Sequence, residues 1–316
     1  MAGNIRTFAV VLALGALVTG CGNDGDNGDR GGGSADRADV SPFTGEEAES
    51  GPVLAVKIDN SPDARPHTGL DQADIVYVEQ VEGGSSRLMA VFSSHLPDLT
   101  GPVRSARESD LELLRQFGEP ALAYSGVQTK LKPLIADAPL FAESPDAVPD
   151  AYVRDDAREA PYNLYVKPQQ VLDAAPDASE ASDIGFRFGD APGGGEPTER
   201  YDVSFPAAGF SFTWSADEKR WMVAMDGTAT DVGAATVVVQ EVTIRQSQYH
   251  DVLGNFTPYT ETVGSGDATV LRDGQAFPAE WERSGEEDGT EFTTPDGDPM
   301  RFAPGPVWVV LAEKSG

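Results

Sequence analysis

Cysteine is almost missing from this chain, and the single residue, Cys21, excludes a disulfide within it, so the folded part is held by its core. No second thiol is left to act as a nucleophile. Histidine is equally scarce: His67, His95 and His250 are scattered, and no His-Glu-x-x-His pair occurs, so neither a histidine-built metal site nor any cofactor is expected. A Gly-x-Ser-x-Gly elbow is absent. The glycine run Gly193-Gly194-Gly195-Glu196-Pro197 lacks the Gly-Lys-Ser/Thr ending of a phosphate loop and reads as linker. Positive charge is short, with 23 Lys and Arg against 52 Asp and Glu and a net charge of −29, which excludes nucleic acid as a partner. A surface this acidic is strongly hydrated and fits a salt-tolerant source. Asp24 to Asp29 resembles a calcium loop but has no later glutamate, so no metal is assigned there.

Long apolar runs are lacking too. The longest at the start, Thr7 to Val18, has twelve residues, too few to span a bilayer. It follows Arg6 and precedes Val18-Thr19-Gly20-Cys21, which has the pattern of a bacterial lipobox. Residues 1–20 are therefore expected to be a lipoprotein signal peptide, with Cys21 as the lipidated residue. Acyl chains on Cys21 would hold the protein on the extracytoplasmic face of the cell membrane, making the membrane its first partner. Residues 21–51, rich in Gly, Asp, Asn and Ser, read as a flexible acidic tether.

What is present begins with strands. Val53 to Ile58 is an apolar run opened by Pro52 and closed by Asp59-Asn60; Ile75 to Glu82 and Arg87 to Phe92 follow. In the second run Glu79 falls in phase with Ile75, Tyr77 and Val81, so a carboxylate points with an apolar set. It needs a basic partner, and Arg65, Arg87, Arg104 and Arg107 are the candidates. Ser105 followed by Glu108 reads as a capping box, and Leu111, Leu114 and Phe117 form one apolar face, predicting an amphipathic helix of about three turns that Gly118 closes.

Arg104 and Arg107 sit where that helix starts, an end that already carries partial positive charge. They either receive a carboxylate or phosphate with the help of Ser105, or pair with acids of the same domain. Residues 52–132 hold eight Lys and Arg against eleven Asp and Glu, so most of the acid lies elsewhere and an anion could approach here. Asp59, Asn60, Arg65, Glu79 and Glu82 complete the candidate ligand site. Asp59, Glu79 and Glu82 also permit an alternative, hydrolysis by paired carboxylates about 5–9 Å apart acting on a wall polymer.

The strings Ile58-Asp59-Asn60, Ala64 to Leu70, Ala73 to Gly84, Arg87 to Phe92 and Gly101-Pro102-Val103-Arg104-Ser105-Ala106-Arg107 resemble, in order and spacing, the YerB-like lipoprotein family. Tyr162 to Tyr165, Val270 to Gln275, Trp281 and Pro304 to Trp308 extend the resemblance to most of Pro52 to Leu311. It implies a bacterial lipoprotein with two domains in a mixed, layered α and β fold, and it carries no agreed activity. His67 stands where many members are expected to have glutamine, so the resemblance gives that histidine no catalytic part.

The expected fold class is thus α+β. A mixed, layered α/β N-terminal domain (52–175) is joined by a linker (176–200) to a mostly antiparallel β C-terminal domain (201–316). In the second domain Phe210 to Trp214 and Trp221 to Met225 form a hairpin, and Thr236 to Ile244 is the strongest strand. Phe212, Trp214, Trp221, Trp281 and Trp308 are expected in its core, and Gln246 to Asp251 reads as a polar surface loop in which His250-Asp251 could serve a site. The resulting expectation is a lipid-anchored binding or accessory protein of the cell envelope, whose partner is an envelope polymer or protein.

Overall fold

The computed structural model describes residues 40–250 and 254–314; the signal peptide 1–20, Cys21, the tether up to residue 39, and Asp251 lie outside them. Strands dominate and helices are few. The strongest β runs of both halves enter one sheet. Its order is Glu291–Thr293, Gln275–Arg283, Gly264–Arg272, Thr236–Val242 and Val307–Glu313, then β2 (Ile75–Gln80), β3 (Ser86–Phe92), β1 (Leu54–Asp59), β4 (Ala121–Ala123) and β5 (Phe141–Glu143). The seam is the last strand: Val307–Glu313 runs parallel both to Thr236–Val242 and to β2, with Ile75 opposite Val307 and Val78 opposite Val310.

The period-two pattern of these strands fixes what covers each face. On one face Leu54, Val56, Val76, Val78, Leu88, Val237 and Val310 are buried together with Phe210, Phe212 and Trp221. The latter belong to a four-stranded antiparallel meander, Arg200–Phe205, Ala208–Ser215, Arg220–Met225 and Thr228–Ala234. Phe212 meets Trp308 edge to face at 6.2 Å. On the other face Ala55, Ile75, Tyr77, Met89, Val91, Val238 and Val309 pack with Leu113, Leu114 and Phe117 of helix α1 (Glu108–Leu114) and the short turn that follows it. Core positions predicted at Phe212, Trp221, Trp281 and Trp308 are buried, and Trp214 is half-buried.

Three local readings change. Residues 40–51 are not free tether: Phe43 is fully buried and meets Phe117 at 5.4 Å, because the segment's one aromatic side chain finds the second sheet face. Within 176–200, Ile184 and Phe186 are buried in that same face and Arg187–Phe188 pairs with Arg301–Phe302, so this stretch is packed. The polar loop expected from Gln246 is instead a strand, Ile244–His250, paired with Phe256–Thr260; its alternation buries Ser247 and Tyr249 and exposes their neighbours. Among the described residues no helix is long and apolar enough to cross a membrane.

Candidate functional site

Antiparallel pairing brings the start of β3 beside the ends of β1 and β2, so Arg87 stands opposite both Asp59 and Glu79. Alternation puts Lys57, Asp59, Glu79 and Arg87 on the face that α1 covers. The chain from Gly101 to Arg107 then crosses this end of the sheet. Gly101 has φ +154°, and a Cβ there would lie 3.0 Å from the Leu164 carbonyl oxygen, so the close crossing requires glycine. The Arg104 N–H donates to the Lys57 carbonyl at 2.8 Å, which fixes where the Arg104 and Arg107 side chains emerge.

The predicted cap at Ser105 is corrected by the structure. Helix α1 begins at Glu108, and it is the Asp110 carboxylate that accepts from the Arg107 N–H, at 2.6 Å. Ser105 contributes its carbonyl oxygen, which accepts from Arg87 Nη1 at 3.2 Å and Arg107 Nη1 at 3.1 Å. Asp110 wins over Ser105 because it caps the helix and at the same time meets a buried cation. Lys57, wholly enclosed, places Nζ 2.7 Å from Asp110 Oδ1 and 2.9 Å from Glu79 Oε1. Lys57, not one of the four arginines, is the partner Glu79 requires. Burial pushes the Glu79 carboxyl above its ordinary range; Lys57 opposes this and Asp110 adds to it.

Above this buried trio opens a cleft of about 570 Å³, lined by Asp59, Glu82, Arg87, Arg104, Ser105 and Arg107. Arg107 is fully engaged: Nε and Nη2 grip both oxygens of Glu82 at 2.7–3.1 Å, and Nη1 donates to two backbone carbonyls. Burial would raise the Glu82 carboxyl, but Arg107, with Thr257, holds it below the usual range. Arg104 is held more loosely. Its Nε lies 2.8 Å from Asp59 Oδ2 without an aligned hydrogen bond, its guanidinium stands 6.0 Å from the Tyr162 ring centre, and its terminal nitrogens bond no described residue. Arg87 has no ion pair among the described residues. Burial pulls its guanidinium down to about 9, Arg107 adding to this and Asp59 and Glu82 opposing it, so it stays charged at neutral pH.

The remaining candidates lie outside the cleft. Glu79 is sealed beneath it at 1% exposure. Asn60 donates to Ser86 Oγ at 2.9 Å and accepts from Arg65 Nε at 3.1 Å. Arg65 reaches Asp226 at 2.7 Å and the Met225 carbonyl at 3.1 Å, tying the loop after β1 to the meander. His67 Nε2–H donates to the Asp59 carbonyl at 2.8 Å, and burial lowers its pKa to about 4.

The far wall includes His250, which sequence reasoning allowed as a site residue but placed in a surface loop. Tyr249, His250 and Thr257, from the hairpin Ile244–His250 and Phe256–Thr260, complete the cleft together with Tyr162. The hairpin is clamped to α1 by Tyr259 Oη donating to Glu112 at 2.7 Å and by Ser247 donating to Glu108. The alternation Ser247, Tyr249 was the available signal. Lys57 also had one, since it lies in phase with Val53 and Ala55 inside an apolar run.

Comparison with known proteins gives concordant results. Residues 41–182 match the domain described as "Protein of unknown function (DUF3048) N-terminal domain" and residues 201–309 its C-terminal counterpart. The chain is 26% identical over 286 residues to YerB of Bacillus subtilis (strain 168), whose name describes it as a lipoprotein, covering 85% of this chain and 84% of that one. The crystal structure of YerB from Bacillus subtilis has the same fold, with a TM-score of 0.74 at 21% identity over 86% of this chain and 95% of that one.

Proposed function

The chain belongs to the two-domain DUF3048 family, and from that premise we propose that it is a lipid-anchored, extracytoplasmic binding protein of the bacterial cell envelope. Its cleft holds an anionic group between Arg87 and Arg104. The anchor is supported by the apolar run ending at Val18-Thr19-Gly20-Cys21 and by the name of the Bacillus relative.

One observation carries the binding reading: the Arg87 guanidinium lies half-buried in an open cleft with no ion pair among the described residues, beside an Arg104 whose terminal nitrogens bond none of them. A cation held partly away from water is costly unless matched, and a bound anion matches it. Hydrolysis by paired carboxylates fits less well. Glu79 is enclosed, and Arg107 holds the Glu82 carboxyl below the usual range, which does not suit it to give up a proton as general acid; Asp59 is ion-paired with Arg104.

The test is thermal unfolding in sodium sulfate or sodium glucuronate against sodium chloride at equal ionic strength. A rise in Tm beyond chloride is expected, lost in Arg87→Gln/Arg104→Gln. An equal rise in both proteins contradicts the reading.

A further inference from the structure

Resting on the anion reading above, we infer that the cleft takes a phosphoryl group carried on a hydroxyl-rich body such as a sugar, with Arg87 and Arg104 as its two cationic contacts. The site itself displays what a carboxylate does in it. Glu82 spends both oxygens on a single guanidinium, that of Arg107, with Thr257 also donating to one of them; Asp59 meets a single guanidinium, that of Arg104, through Oδ2, while Ser61 donates to Oδ1. A planar carboxylate is matched by one guanidinium fork. After those pairings, donors remain on two guanidiniums that approach from different directions, Arg87 from the start of β3 and Arg104 from the chain ahead of α1. A tetrahedral phosphoryl group offers oxygens to both at once.

The rest of the lining suits a polyol. Ser61, Ser85 and Gln128 supply hydroxyl and amide groups, and the Tyr162 and Tyr249 side chains supply aromatic surface. At about 570 Å³ the cleft falls in the range that encloses a small ligand. The Glu82 and Asp59 carboxylates repel any further anion, and a third carboxylate is matched by only one of the two forks still open, on Arg87 or Arg104. The same repulsion acts on a phosphoryl group, but there two guanidiniums offset it.

Glucose 6-phosphate and glucuronate carry their anionic group at the same position of the same sugar, and isothermal titration of the two against the folded protein isolates the head group. Glucose 6-phosphate is expected to bind at least tenfold more tightly than glucuronate and more tightly than inorganic phosphate, with no measurable binding of glucose. Arg87→Lys keeps the charge but loses the fork, and is expected to weaken glucose 6-phosphate at least fivefold with an unchanged melting curve; if that variant unfolds, Arg104→Lys provides the same comparison. Glucuronate binding as tightly as glucose 6-phosphate overturns the phosphoryl assignment while leaving anion binding intact. No binding of either overturns both. Dihexanoyl phosphatidylglycerol binding more tightly than the sugar phosphate overturns the sugar body and assigns the group to a lipid head.

Discussion

Lys57 Nζ and Asp110 Oδ1 are 2.7 Å apart with both residues wholly buried, and the other Asp110 oxygen accepts from the Arg107 N–H. One carboxylate therefore joins the central sheet to the chain that presents the cleft arginines. Removing the lysine leaves Asp110 and Glu79 enclosed without a cation. Lys57→Met is expected to lower stability by about 3–5 kcal/mol, the usual cost of breaking a buried ion pair on one side. Adding Glu79→Gln should recover part of it. Urea melts decide; a loss under ~1 kcal/mol would mean that the trio contributes little.

His67 sets an acid-side limit. Half-buried against the Asp59 carbonyl, it is held neutral, with its pKa lowered to about 4, whereas in the unfolded chain it takes up a proton near 6.5. The unfolded state thus binds more protons between these values, so stability from this group is complete above pH 6.5 and is lost as pH falls towards 4. His67→Gln should flatten that part of the stability curve by on the order of 2 kcal/mol. Denaturant melts at pH 4, 5, 6 and 7 measure it, and parallel curves for the two proteins would contradict it.

Phe43 is expected to behave as core. It is fully buried and meets Phe117 at 5.4 Å, so Phe43→Ala should cost about 3–5 kcal/mol. Were 40–51 a solvated tether, the substitution would be neutral in the same melt.

Much of this fold was legible in the sequence because strand alternation is local. Most of the runs Val53 to Ile58, Ile75 to Glu82 and Thr236 to Ile244 became sheet, and Phe212, Trp221, Trp281 and Trp308 of the second half are buried. Pairing is not local. Nothing near Ile75 announces that Val307, more than two hundred residues later, will lie beside it, so the sheet shared by the two halves was invisible. The site divides in the same way. Arg104 and Arg107 were visible as charges concentrated ahead of a helix, but which acid each would meet depended on the crossing at Gly101. Ser105 had the better capping pattern and lost to Asp110, because Asp110 alone also meets Lys57.

Cys21 carries the prediction about location. Cys21→Ser should shift the protein from the membrane fraction to the soluble fraction and abolish incorporation of labelled palmitate, since the thiol is the atom that would bear the lipid. Unchanged membrane association in the variant would remove the anchor.

Anion binding between Arg87 and Arg104 is tested most directly by diffraction from crystals soaked in sodium selenate, a tetrahedral anion with an anomalous signal. The prediction is a selenium peak in the cleft within hydrogen-bond reach of both guanidiniums. Selenium peaks elsewhere on the protein, with none in the cleft at saturating selenate, would contradict it.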